Sequence, residues 1–167
     1  MIHIVLIAAL LQAGPPPVDC ADANHSALDF WIGDWEVRPT GDDTVIAHSV
    51  ISEAAGGCAI REEYRQTVGP GGAPSDYQGA SFSTFDAGSG TWRQFYVDST
   101  GSVTAYEGGP ISSGAMVLVA RGAQEGEMRS MTLTPQPDGS VRQVGALSVD
   151  AGASWSPGTY DFTYRRR

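Results

Sequence analysis

The sequence of 167 residues contains no lysine, and only 17% of its residues are charged. All ten basic residues are arginines, whereas aspartate and glutamate total 19, so the net charge is -9. Nucleic acids and anionic membrane surfaces repel such an acidic chain, and we therefore expect neither as a partner. Hydrophobic residues make up 41% of the chain, which is enough for a packed core and excludes wholesale disorder.

Several kinds of catalytic and metal site are disfavoured by what is missing. The chain has three histidines, and after removal of the first segment His25 and His48 would remain, in different parts of the sequence. This arrangement gives little support to a histidine-based metal centre or a Ser-His-Asp triad. No G-x-S-x-G motif occurs, and the glycine-rich run at 69–72 has no lysine and opens no helix, as a phosphate loop requires. We expect no metal and no cofactor.

A sustained apolar period of 3.6 residues is also missing, so we expect no long amphipathic helix. The 21 glycines and 10 prolines suit tight turns, and short alternating segments lie between them. The predicted strands are 30–38, 44–53, 59–67, 77–86, 91–98, 102–107, 114–120, 127–134, 140–149 and 159–165. A sandwich or a closed barrel would fit so many strands. Successive hairpins favour an all-β fold, an antiparallel up-and-down β-barrel of about 8–10 strands, because closure removes exposed edges.

An uncharged apolar run at residues 2–11 precedes small residues and three prolines. It is too short for a transmembrane helix, which needs about 20 residues. The pattern predicts a signal peptide over residues 1–14, a leader segment over 15–27 and a barrel domain over 28–167. An apolar leading strand or a misassigned start is the alternative, since the first segment has no lysine or arginine. Export would make the protein periplasmic or secreted, with no membrane insertion after cleavage.

The two cysteines agree with export. Cys20 lies in the leader segment and Cys58 lies just before an alternating segment. An even pair in a small exported domain predicts a disulfide, which would tie the leader to the barrel wall. The alternative is two unrelated thiols. Neither cysteine has a neighbouring histidine or a C-x-x-C spacing that would indicate metal or redox chemistry.

The most specific motif is the string FWIGDWEV at residues 30–37. On a strand, Gly33 and Trp35 face the same way, and the missing side chain of the glycine leaves space for the indole. This G-x-W pattern resembles the signature of the calycin superfamily, which includes lipocalins, fatty-acid-binding proteins and avidins. In those families an arginine of the final strand covers the tryptophan, so the resemblance implies this role for Arg165 or Arg166.

The span from Asp29 to Arg165 resembles a family of exported bacterial proteins of unknown function with lipocalin-like barrels. The resemblance implies a fold and leaves the function open. It is carried, in order, by FWIGDWEV at 30–37, Gly57-Cys58, Trp92-Arg93-Gln94 with Val97-Asp98, the string DGSVRQ at 138–143, and Ser154-Trp155.

Alternation along the strands predicts which side chains face the lumen. On the third strand we expect Glu62 and Tyr64 to point inward, because the opposite set of Arg61, Glu63 and Arg65 is wholly charged and belongs outside. The same reasoning extends to the neighbouring strands. The predicted ligand-binding wall consists of Glu62, Tyr64, Ser81, Ser83, Gln94, Tyr96 and Gln143.

These residues favour a binding protein for a small apolar or amphipathic ligand. The alternative is a cyclase or isomerase on the same scaffold, with Glu62 as general acid or base and Tyr64 assisting. Catalysis is less favoured because no second ionisable group has an obvious partner. A filled barrel that acts as an interaction module is a third interpretation. For Glu62 itself, pairing with Arg93 or Arg142 across strands would be purely structural.

Overall fold

The structure, a computed structural model, describes residues 19–167 and consists almost entirely of strands. The predicted signal peptide, residues 1–14, lies outside the described residues. Three short 3-10 helices lie at Asp29–Trp31, Ala55–Gly57 and Pro70–Gly72. The ten strands are β1 (Gly33–Pro39), β2 (Ala47–Ala54), β3 (Ala59–Gln66), β4 (Gln78–Asp86), β5 (Thr91–Asp98), β6 (Val103–Pro110), β7 (Met116–Arg121), β8 (Met128–Pro135), β9 (Val141–Ser148) and β10 (Ser156–Arg166).

Each strand pairs antiparallel with the next, and β10 pairs with β1 to close the barrel. The predicted all-β, up-and-down barrel is therefore confirmed, and the architecture is consistent with a lipocalin-like fold. The turn residues explain the succession of hairpins. Gly101 and Gly139 lie at hairpin tips with φ of 84° and 81°, a backbone conformation that is costly for residues with a side chain. Among the described residues, no helix has the length and apolarity needed to cross a membrane.

Four strand boundaries differ from the prediction by three residues: β1 and β2 begin later, β6 ends later, at Pro110, and β10 begins earlier, at Ser156. The first strand begins at Gly33 rather than Phe30, because residues Asp29–Trp31 form a 3-10 turn. This turn presents the carbonyl of Trp31 to the indole Nε1 of Trp35, which donates a hydrogen bond of 2.9 Å. The second strand begins at Ala47 rather than Thr44, because continuous pairing with β1 and β3 starts at that residue. Before it, the amide of Ile46 still donates to the carbonyl of Val37 at 2.9 Å.

The closed end of the barrel, where β1 starts and β10 ends, is filled with large apolar side chains. Trp31 and Trp35 are fully buried there, as is the Leu28 side chain that precedes them. The leader covers the same end: the Nε1 of Trp92 donates to the carbonyl of Asn24 at 3.1 Å. The predicted disulfide between Cys20 and Cys58 is confirmed, and it joins the leader to the start of β3. Such a bond is typical of a protein that matures in an oxidising, exported environment.

Candidate functional site

The upper half of the barrel, away from the closed end, encloses a lumen cavity of about 360 Å³. Tyr164, which lines the cavity, also packs edge to face against Trp31 and Trp35 of the closed end. All six tyrosines of the chain line this cavity, together with the three buried polar side chains of Glu62, Gln94 and Gln143. The tyrosines are Tyr64, Tyr77, Tyr96, Tyr106, Tyr160 and Tyr164. Trp31, Trp35 and Trp92 are instead buried in the packed end, so the half of the barrel with phenol hydroxyls is the half with space.

Glu62 lies at the centre of the polar lining, and its side chain is almost completely enclosed. Its two carboxyl oxygens accept hydrogen bonds from the flanking strands: Ser49 Oγ donates to Oε1 at 2.9 Å and Ser81 Oγ to Oε2 at 3.3 Å. Burial disfavours the charged form and raises the pKa of Glu62 to about 7, and the two serine bonds offset part of this rise. Near neutral pH the site therefore holds a carboxyl group close to half ionised.

The alternative in which Glu62 pairs with Arg93 or Arg142 is wrong. Arg93 Nη1 lies 3.0 Å from Glu107, and Arg142 Nη2 lies 2.6 Å from Asp161, both on the outer face. Within residues 19–167, no arginine forms an ion pair with Glu62. The carboxyl is held instead by hydroxyl donors alone.

Phenol groups surround this carboxyl, and several are tied to one another or to amides. Tyr77 and Tyr96 share a hydrogen bond of 2.7 Å between their hydroxyls, and Tyr77 also donates to Asp98 Oδ2 at 3.2 Å. Deeper in the lumen, Tyr164 donates to Gln143 Oε1 at 2.9 Å. Burial raises the pKa of Tyr96 above its usual value, so this phenol stays protonated at physiological pH.

Two glycines provide the space that these rings occupy. A Cβ placed on Gly79 would lie 1.9 Å from the hydroxyl of Tyr96, and one on Gly145 would lie 2.4 Å from Cε1 of Tyr160. The rings therefore lie directly against bare backbone of the neighbouring strand. Side chains at either position would push a tyrosine into the cavity and reduce its volume.

The wall is interrupted on one side. The β6–β7 ladder runs from the pair Pro110 and Met116 to the pair Glu107 and Val119, and goes no further towards the open end. Beyond it a second cavity, of about 680 Å³, lies between the two strands. Ser102, Thr104 and Arg129 line both cavities. We call this break the side gap; it places the second cavity beside the lumen.

The structure brings most of the predicted ligand-binding residues together. Glu62, Tyr64, Gln94, Tyr96 and Gln143 line the lumen cavity. Ser81 and Ser83 lie behind this surface as hydrogen-bond partners: Gln94 Nε2 donates to Ser83 Oγ at 3.0 Å, and Ser81 bonds to Glu62 as described above. That these residues bind a ligand stays a prediction.

Sequence reasoning missed four of the six tyrosines that line the cavity. Tyr160 and Tyr164 face inward on β10 with Phe162, at alternate positions of one strand. That spacing was a usable signal, because an i, i+2, i+4 set on a strand shares one face. Tyr106 alternates in the same way on β6, and Tyr77 precedes β4. Trp92, which shares the inner face of β5 with Gln94, lies outside the cavity in the packed closed end.

Of the two arginines to which the resemblance gave this role, Arg166 and not Arg165 lies beside the motif tryptophan. Its Cζ lies 4.5 Å from the centroid of the Trp35 ring. Register explains the choice: Arg166 is the residue that pairs with Trp35, whereas Arg165 pairs with Glu36 and so belongs to the outer face.

No protein-family model matches the chain, and no curated protein sequence gives a significant match. Among the described residues, histidine, cysteine, aspartate and glutamate nowhere form a group of three that could hold a metal ion. The lumen cavity and the side chains that line it are therefore the observations from which a function can be inferred.

Proposed function

We propose that this protein is an exported barrel that binds one small apolar or amphipathic molecule in its lumen, and that it belongs with the exported bacterial family it resembles. The observation that carries the proposal is the lumen cavity itself, about 360 Å³ in volume and lined by six phenol rings and three buried polar groups. Ligand pockets combine aromatic surface with a few placed polar atoms in this way. The volume is at the lower end of the range for small-molecule sites, which favours a compact ligand.

The supporting features concern shape and rigidity. Packed tryptophans and a disulfide-linked leader close one end, so the lumen is a cup rather than a channel. Hydrogen bonds between lining side chains, such as the bond from Tyr164 to Gln143, fix the wall before a ligand enters. A preformed wall reduces the entropy lost when a ligand binds.

Binding is tested by native mass spectrometry of the protein purified from its own host, together with titration of an uncharged apolar fluorescent probe, N-phenyl-1-naphthylamine. We expect one added small-molecule mass per chain, or saturable probe binding. Thr104→Trp, which fills the lumen, should abolish binding, whereas Ala105→Trp on the exposed face of the same strand should leave it intact. An absence of both added mass and probe binding, or equal binding by the two variants, would contradict the proposal.

A second function is favoured by one observation. A buried carboxyl with its pKa raised to about 7 has the proton affinity that a general acid or base needs near neutral pH. Glu62 could then move a proton in a cyclase or isomerase reaction, with the phenol of Tyr64 assisting. Glu62→Gln distinguishes the two functions: an enzyme loses turnover and keeps its ligand, whereas a binding protein has no turnover to lose.

A further inference from the structure

We propose that the lumen of this protein is built for an organic cation, a protonated amine on an apolar body whose charged group lies against Glu62. This inference rests on the proposed binding function and names the chemical class of the ligand. It follows from which groups line the lumen cavity and from which are missing.

The first step concerns the charge at the base of the cavity. Each carboxyl oxygen of Glu62 accepts a single hydrogen bond, from Ser49 or Ser81, although a carboxylate can accept about four. A buried carboxylate is costly unless a cation or further donors face it. The residues that the structure describes supply no cation there, so a bound ammonium group would complete the site.

The second step concerns the other charged and titratable groups. The strands beside β3 present only the hydroxyls of Ser49 and Ser81 to the carboxyl. The remaining titratable groups that interact with it are phenols, which burial keeps neutral. These phenols belong to Tyr64, Tyr77, Tyr96, Tyr160 and Tyr164.

The charges at the mouth favour the same sign of ligand. Asp98 lines the cavity at the end of β5, and hydrogen bonds from Thr100 lower its pKa, so it is anionic. Arg129 is the one cation among the described residues that line the cavity, and it is exposed and paired with Glu127 at 2.9 Å. With a net charge of -9 over the chain, the electrostatic field attracts cations towards the mouth.

The third step concerns the walls. Aromatic faces attract cations through their ring quadrupoles, most strongly where the contact is shielded from water. Tyr64 and Tyr77, whose rings meet edge to face with centroids 6.1 Å apart, both line the cavity. A carboxylate at the base with phenol rings around it is the combination that recognises amines.

The test compares three probes that share one naphthalene body: 1-naphthylmethylamine, 1-naphthalenemethanol and 1-naphthoate. Isothermal titration at about pH 8 should give the amine an affinity at least about tenfold above that of the alcohol, and the naphthoate the weakest binding. Glu62→Gln should lower the affinity for the amine to that for the alcohol. Glu63→Gln, the same change on the exposed outer face of β3, is the matched control and should keep the preference.

Acidity provides a second measurement that does not depend on the folding of a variant. Amine binding requires ionised Glu62, so the preference for the amine over the alcohol should shrink as the pH falls below about 7. Equal affinities for amine and alcohol at about pH 8, with both blocked by Thr104→Trp, would overturn the cation proposal and leave lumen binding standing. Failure of all three probes to bind would overturn both.

Discussion

Arg166 lies over the face of Trp35, with its Cζ 4.5 Å from the ring centroid, and its Nη2 donates to the carbonyl of Ile32 at 3.2 Å. The glycine of the opening motif makes this contact possible. A Cβ on Gly33 would lie 2.7 Å from Nη1 of Arg166 and 3.0 Å from Cε2 of Trp35. Gly33 and Trp35 of the first strand therefore pack together with Arg166 of the last, and this contact joins β1 to β10 where the barrel closes.

Removing this arginine should weaken the closure. We expect Arg166→Ala to lower the free energy of unfolding by about 1 kcal/mol, the value of an exposed cation–π contact. Arg165→Ala, one residue earlier and on the outer face, is the control and should change stability by less than about 0.5 kcal/mol. Urea unfolding followed by tryptophan fluorescence measures both. Equal losses in the two variants would show that the position over Trp35 has no special role.

Much of the fold could be predicted because each hairpin carries its own signal. Alternation and turn glycines predict all ten strands, and the i, i+2 spacing of Gly33 and Trp35 predicts the packed end. The choice between Arg165 and Arg166 depends on the register of β10 against β1, which pairs residues more than a hundred positions apart. Local sequence does not contain that information.

The candidate site was predictable to the extent that it follows from parity within one strand. The charged outer set on β3 predicts that Glu62 points inward, and the structure places it there. Two features depend on contacts between strands and were not predictable: the seating of Tyr96 on Gly79, and the side gap, where pairing between β6 and β7 stops. Neither leaves a pattern within a single strand.

The disulfide should contribute much of the stability of the closed end. Cys20 and Cys58 are separated by 38 positions, and closing a loop of that size contributes up to about 4 kcal/mol in the chain-entropy model. We expect the double variant Cys20→Ala, Cys58→Ala to lose most of this amount in urea unfolding. The wild-type protein in excess reductant should match the variant. A loss below about 1 kcal/mol would show that leader packing alone holds this end.

Glu62 should make stability depend on pH in an unusual direction for a carboxylate. Its pKa is raised from 4.5 to about 7, so the fold favours the neutral form. With respect to Glu62 alone, the fold is most stable at pH values below 4.5, the pKa of Glu62 in the unfolded chain, where this carboxyl is neutral in both states. This stability is lost as the pH rises towards and through about 7, the pKa of Glu62 in the fold. The total change is roughly 3 kcal/mol.

Glu62→Gln isolates this effect from the other carboxylates. The variant and the wild type should have similar stability at about pH 4, and the variant should be the more stable by about 2 to 3 kcal/mol at about pH 8. Thermal unfolding in a pH series measures the difference. A difference that stays constant across the series would show that Glu62 does not titrate in this range.

Two adjacent glycines on β6 should respond very differently to the same substitution. A Cβ on Gly108 would lie 2.0 Å from the backbone carbonyl of Val117, whereas one on Gly109 would have nothing within 4 Å. Backbone cannot move aside as a side-chain tip can, so Gly108→Ala should force β6 and β7 apart where they are still paired. We expect a loss of about 2 kcal/mol or more, against less than about 1 kcal/mol for Gly109→Ala. Similar losses would contradict the close strand approach.

The side gap should be visible in amide hydrogen exchange. Pairing between β6 and β7 covers Glu107 to Pro110 on one strand and Met116 to Val119 on the other, and stops there. Amides at 103–106 and at 120–121 that face the gap have no partner strand on that side, and unpaired amides exchange without the opening that a ladder requires. We expect these amides to exchange faster than those of the paired halves of the same two strands. A lumen ligand that reaches Thr104 should slow them, since Thr104 lines both cavities. Uniform protection along β6 and β7 would show that the wall is continuous in solution and that ligands enter only through the open end.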